Sequence, residues 1–135
     1  MLLCPSTHVV LNPDPEKGRT GSVQCGLSSI LERKGRLPVK VLLVPVDRPG
    51  WSVQIVRHLL QMETTSCPVW DKRGGHPLLI VGEDINAVYL AKADVPLSSL
   101  VHRKTIPVDF PWLHLNIDTK EDLGELVTAS KEDWF

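Results

Sequence analysis

"VKVLLVPVDRPGW", residues 39 to 51, is an apolar run that stops at one aspartate, Asp47, held between Pro45 and Pro49. Its apolar residues are nearly continuous rather than alternating, the pattern of a parallel strand covered on both faces, and the prolines keep it from running on. Immediately after it, Val53, Val56, Leu59 and Leu60 mark an amphipathic helix with Ser52 as its N-cap. Immediately before it, Val23, Leu27, Ile30 and Leu31 fall at i, i+4, i+7 and i+8, so a first helix is expected from Ser22, closed by Gly35 and Pro38. A buried strand flanked by two helices points to an α/β sandwich around a mostly parallel sheet.

The rest of the chain reads in the same way. "HVVLN" (8–12) is a β-branched run that predicts a strand, and "NPDPEKGRTG" after it is a loop of Pro, Gly and Asp. "HPLLIV" (76–81) predicts another short buried strand, followed by a helical stretch around Ile85 to Ala93 and a short helix from Pro96 to Arg103. "TIPVDF" (105–110) and "WLHLNI" (112–117) read as paired strands. Thr119 with Asp122 three places on forms a variant capping box, and Leu123, Leu126 and Val127 give a last helix its apolar stripe. There is no repeat, low-complexity tract or internal linker, so residues 1–135 are expected to form a single domain.

Composition narrows the function classes. A net charge of −1 provides no basic field for nucleic acid or anionic membrane, so any phosphate recognition must be local. Cys4, Cys25 and Cys67 are odd in number and lack CxxC spacing, which argues against a disulfide framework or a zinc site. The apolar runs are too short to span a bilayer, and "MLLCPST" lacks the features of a signal peptide. A soluble, cytoplasmic protein is expected.

In α/β sandwiches ligands bind beyond the carboxyl ends of the strands, which is where Asp47 stands. The plainer role for an aspartate there is to make a turn or a cap. A carboxylate fixed between prolines also has little freedom to lose on holding a cation, and magnesium takes one or two such carboxylates together with phosphate oxygens and water. Asp118, after the apolar "WLHLNI" and before the capped helix, is expected to hold the equivalent position, although it could equally favour the helix N-terminus electrostatically.

Taken in order, "PVDRP", "GGHPLLI" and "NIDTKEDL", with "VVLNPDPEKGRTGSVQCGL" upstream, resemble the nucleotidyltransferases of molybdenum-cofactor biosynthesis, the cytidylyl- and guanylyltransferases and their relatives. The resemblance runs from about His8 to Leu126. It implies a Rossmann-like nucleotidyltransferase sandwich that takes a nucleoside triphosphate and a small phosphate acceptor, with an acceptor oxygen attacking the α-phosphate and expelling pyrophosphate. It also implies that Asp47 and Asp118 hold Mg2+ or Mn2+, that Gly21, Ser22 and Gly26 lie along the nucleotide, and that His76 faces the acceptor. Lys17 and Arg19 would be the candidates for phosphate contact, although loop cations are more often simply solvated.

One part of the family pattern is missing from these 135 residues. Members begin with a strand leading into a Gly-rich loop with Arg and Lys that cradles the triphosphate, whereas here "MLLCPST" stands ahead of "HVVLN". "GRTGS" (18–22) has glycines at a helix start but not the spacing or lysine of a phosphate loop. The fold is therefore expected to be an N-terminally truncated version, with little or no turnover by this chain alone. That leaves a binding module or one part of a split enzyme as the alternative. A sheet lacking that strand is expected to expose Val41, Leu43 and Val44 and to form a homo-oligomer or take a partner subunit, unless "MLLCPST" folds back as a makeshift strand. Trp51, Trp70, Trp112 and Trp134 would favour a protein-contact role if exposed and a core role if buried.

Overall fold

The computed structural model describes residues 6–132 and Trp134, so the first five residues, including Cys4 and most of "MLLCPST", lie outside the described residues. The chain forms two compact units, residues 1–39 with 83–101 and residues 40–82 with 102–135.

The first unit is helical. Helix α1 spans Arg19–Lys34 and begins three residues earlier than expected, because Gly18 adopts a φ of 100° at its N-cap. It ends where Gly35, in the left-handed region at φ 73°, donates its N–H to the Leu31 carbonyl. Helix α3 (Glu83–Leu90) packs against α1, and the short α4 (Leu97–Leu100) follows. Gln24 of α1 donates from Nε2 to the carbonyls of Val88 and Ala91 at 2.8 and 2.7 Å, satisfying acceptors that the end of α3 leaves open. The buried Thr20 hydroxyl donates to the Val95 carbonyl at 2.6 Å.

The strand expected over "HVVLN" does not form. Val9, Val10 and Leu11 are exposed, and no strand lies beside them among the described residues. A β-branched run becomes a strand only where a neighbour completes its hydrogen bonds. Here Asn12 turns the chain instead, accepting the Asp14 N–H on Oδ1 at 2.9 Å and leading into a 3-10 turn over Pro15–Lys17.

The second unit holds a five-stranded sheet of β1 (Lys40–Leu43), β2 (Ser66–Trp70), β3 (Arg73–Gly74), β4 (Leu78–Val81) and β5 (Lys104–Pro107). The order is β1-β4-β2, with β3 continuing along the same edge of β2 as β4 and β5 on its other edge. The α/β sandwich expected from the sequence is present, and β1, β2 and β5 run in one direction. Neighbour pairing departs from the mostly parallel expectation. β4 lies reversed between β1 and β2, so only β2–β5 is a parallel ladder, while β1–β4, β2–β4 and β2–β3 are antiparallel.

Central strand β2 carries no strand signal in the sequence because Pro68 sits in the middle of it. The Pro68 carbonyl accepts the Gly75 N–H at 2.8 Å, in the break between β3 and β4. The missing proline donor therefore falls where no continuous ladder would have used it. A two-residue turn with positive φ at Asp71 and Lys72 joins β2 to β3.

"WLHLNI" is not a strand either. Leu113 N–H bonds back to the Phe110 carbonyl and Leu115 N–H to Trp112, so the segment coils while still burying both leucines. In the final helix, α5 (Leu123–Ala129), Leu123 and Val127 of the expected stripe are exposed, Leu126 is half-buried, and Ala129 is the buried residue.

In helix α2 (Val53–Leu60) the expected Val53 and Leu60 are exposed and Val56 is half-buried, and the helix covers the sheet with Ile55 and the expected Leu59. Ile55 and Leu59 join Leu79, Ile106, Phe110 and Leu113 in the core. Trp70, Trp112 and Trp134 pack against this cluster while half-buried, and the Trp134 ring stands edge-on to Phe110 with centroids 4.9 Å apart. These three tryptophans therefore serve the core. Cys25 and Cys67 are free thiols, and burial pushes the Cys67 thiol up, with partial relief from Arg103, as suits a core residue rather than a nucleophile.

Ser52 Oγ accepts the Ile55 N–H at 3.3 Å, the cap that the sequence predicts. Replacing it (Ser52→Ala) should cost about 1 kcal/mol of unfolding free energy. Urea denaturation will read this as a lower midpoint at unchanged slope.

Candidate functional site

Because β1, β2 and β5 share a direction, the loop after β1 (44–52), the loop after β5 (108–122) and the turn into β4 (75–77) all lie at one end of the sheet. Glycine lets them pack closely. A Cβ on the buried Gly50 would stand 1.8 Å from the Trp112 carbonyl oxygen, and one on Gly75 would stand 2.8 Å from Leu113 Cγ. The Ile117 N–H donates to the Asp47 carbonyl at 2.9 Å. The structure thus brings the backbones carrying Asp47 and Asp118 together, with His76 one residue from the Gly75–Leu113 contact.

Asp47 lies in a turn in which Arg48 N–H reaches the Pro45 carbonyl. Its carboxylate is 39% exposed, with Arg48 Nε 4.0 Å away. Asp118 is exposed, follows coil rather than a strand, and accepts a hydrogen bond from Asn116 Nδ2.

Asp122, not Asp118, is the N-cap residue of α5, and its side chain bonds back to the preceding turn rather than to the helix N–H groups. Asp122 Oδ2 accepts the Asp118 N–H at 2.9 Å, the Thr119 N–H at 2.8 Å and the Thr119 hydroxyl at 3.1 Å. These bonds, that from the Thr119 N–H first, hold the Asp122 carboxyl below the usual aspartate range.

Two residues at this end escape a search for carboxylates alone. Asn116 Oδ1 is buried and accepts no hydrogen bond among the described residues, while the same amide group donates to Asp118. Arg48 brings a cation beside Asp47. The available signals are the i, i+2 spacing of Asn116 and Asp118 and the residue directly after the turn aspartate.

The other sequence candidates lie in the first unit. Gly21 is buried within α1, and a Cβ there would meet the Ala93 Cβ at 3.3 Å, so its smallness serves helix packing. Ser22 Oγ accepts from Asn12 Nδ2 at 3.0 Å. Gly26 has nothing within 4 Å of its Cβ position. A groove of about 410 Å3 runs along this helix past Asn12, Lys17, Gly21, Gln24 and Cys25. Lys17 is paired to Asp14 at 2.8 Å, and that hydrogen bond raises its pKa.

Residues 2–113 match the MobA-like NTP transferase domain. The chain belongs to this family. The matched span contains Asp47 and His76 and ends before Asp118. It makes the chain a nucleotidyltransferase-like protein. No curated protein matches it. Among the described residues of this NTP transferase-like chain, no helix is long and apolar enough to cross a membrane.

The lowered pKa of Asp122 fixes a pH dependence. A carboxyl depressed by native hydrogen bonds stabilises the fold above its unfolded value and loses that contribution as pH falls through its folded value. The stability lead of the parent over Asp122→Asn should be full at neutral pH and fade below about pH 4. Thermal unfolding from pH 7 to pH 2.5 will show the two curves converging.

Proposed function

We propose that this NTP transferase-like chain binds a magnesium nucleotide with the apparatus for transferring a nucleoside monophosphate from CTP or GTP to a phosphate acceptor such as molybdopterin. The observation that carries this reading is the Ile117–Asp47 backbone bond, which joins the two aspartate loops at the ligand-binding end of the sheet.

The donor set suits magnesium. Two carboxylates and the buried Asn116 Oδ1, which lacks a partner among the described residues, are hard oxygens, and magnesium takes few protein ligands beside phosphate and water. Among the described residues no cluster of three or more His, Cys, Asp or Glu forms a closed cage for a different metal. Asp47 and Asp118 would hold the ion, or Mn2+ in its place, while Asn116 turns the Asp118 carboxylate. When bound, the ion neutralises charge on the triphosphate oxygens.

The transfer itself needs positioning more than covalent help from the protein. An acceptor phosphate oxygen attacks the α-phosphorus, a new P–O bond forms, and the bond to the leaving pyrophosphate breaks. His76, in the turn beside Leu113, is the side chain proposed to meet the acceptor. In the first unit, Gly21, Ser22 and Gly26 of α1 are the proposed nucleotide contacts.

A second reading, nucleotide binding without turnover by this chain alone, is favoured by one observation. Lys17, a candidate phosphate cation, is committed to Asp14.

Manganese titration followed by electron paramagnetic resonance, with CTP or GTP present, tests the site. Asp47→Ala and Asp118→Ala should abolish binding, and Asn116→Ala should weaken it about tenfold, as loss of a ligand-orienting partner does. Equal binding by the parent and both aspartate variants would overturn the metal assignment.

Turnover is a separate measurement. Pyrophosphate release by the isolated chain with CTP or GTP and molybdopterin is expected to be slight or absent. Release at roughly 1–10 per second, an ordinary enzymatic rate, would decide for transfer over binding alone.

A further inference from the structure

The two edges of the sheet are not alike. Edge strand β5 is guarded, because Lys104 is exposed on it and Pro107 has no N–H to offer, two devices that discourage a further strand. Edge strand β1 has no such guard. It pairs with β4 alone, and among the described residues no backbone hydrogen bond reaches its other side. Its one charge, Lys40, is drawn back onto its own unit by the Leu60 carbonyl at 3.2 Å and by Glu63 at 3.6 Å. Apolar side chains stand at both ends of the strand, with Val39 77%, Val44 44% and Val46 100% exposed. The strand leads directly into an apolar groove of about 590 Å3 walled by Val44, Pro45, Val46, Trp51, Val53 and Trp134.

We propose that two copies of this chain pair antiparallel through β1, making one continuous sheet across a two-fold axis. Among the described residues nothing pairs with the outer row of N–H and C=O groups on β1, and another strand edge would satisfy that whole row at once. Of the chain's own two sheet edges, β5 is blocked, which disfavours a β1-to-β5 contact that would propagate from copy to copy. Pairing of β1 with β1 closes after two molecules.

The side chains fit this closure. Residues facing each other across an antiparallel pair lie on the same side of the sheet, so the two-fold falls on a residue, and the proposed register sets Leu42 opposite Leu42, Val41 opposite Leu43 and Lys40 opposite Val44. In that register no like charges meet. Val44 and Val46, and the groove beside them, are then covered at each end of the joined strands.

Sedimentation velocity over a concentration series, together with hydrogen exchange of the amides from Lys40 to Val44, tests the pairing on the full chain. The parent should sediment as a dimer with β1 amides slow to exchange. Val44→Lys puts a lysine opposite Lys40 of the other copy, and Val46→Lys charges the groove. Each should weaken dimerisation at least about tenfold. Both positions are exposed, so the circular dichroism and the slow exchange of β4 amides should not change. A parent that stays monomeric at every concentration would overturn the proposal, whether its β1 amides exchange fast or are slowed by a segment of its own chain. So would a dimer that Val44→Lys and Val46→Lys leave intact.

Discussion

The loop-bearing end of the sheet depends on two loops lying flat against each other. Gly50 meets the carbonyl of Trp112 so closely that a Cβ would overlap its oxygen, and this contact leaves room for Ile117 to bond the Asp47 carbonyl. The loop after β1 is thereby locked to the loop after β5. Gly75 admits Leu113 in the same way, tying the turn into β4 to the pair. Leu113 is also a core residue, so the packing that holds the loops together is continuous with the packing that holds the second unit together.

On that base the polar groups divide their tasks. Asp122 accepts three hydrogen bonds and shapes the turn before α5. Relieved of that work, Asp118 is steered by Asn116, whose own oxygen is buried without a donor among the described residues. A buried acceptor without a partner costs free energy, which a hydrogen-bond donor would relieve. Asp47 keeps its carboxylate partly in water beside Arg48, while its backbone does the structural work.

The sheet below tolerates two irregularities for a related reason. Pro68 sits in the central strand because the opposite edge is split into β3 and β4 at the point where its N–H would be missed. The reversed β4 lets β1, β2 and β5 keep one direction, so their following loops gather at one end although most neighbours pair antiparallel.

The features legible in the sequence are the local signals that need no distant partner. The continuous apolar run gave β1, Ser52 gave the cap of α2, Gly35 gave the end of α1, and Asp47 between its prolines marked a turn beyond a strand. The family was legible in the order of several short motifs, none of them specific alone. The tertiary structure decided the features that depend on neighbours far along the chain. "HVVLN" has strand propensity but no strand beside it, and "WLHLNI" buries its leucines while coiling. "SCPVW" becomes the central strand in spite of its proline, because the break lies opposite it. The meeting of Asp47 with the Asp118 loop could not be read from positions seventy residues apart, since it rests on a glycine whose importance shows only when another backbone is packed against it.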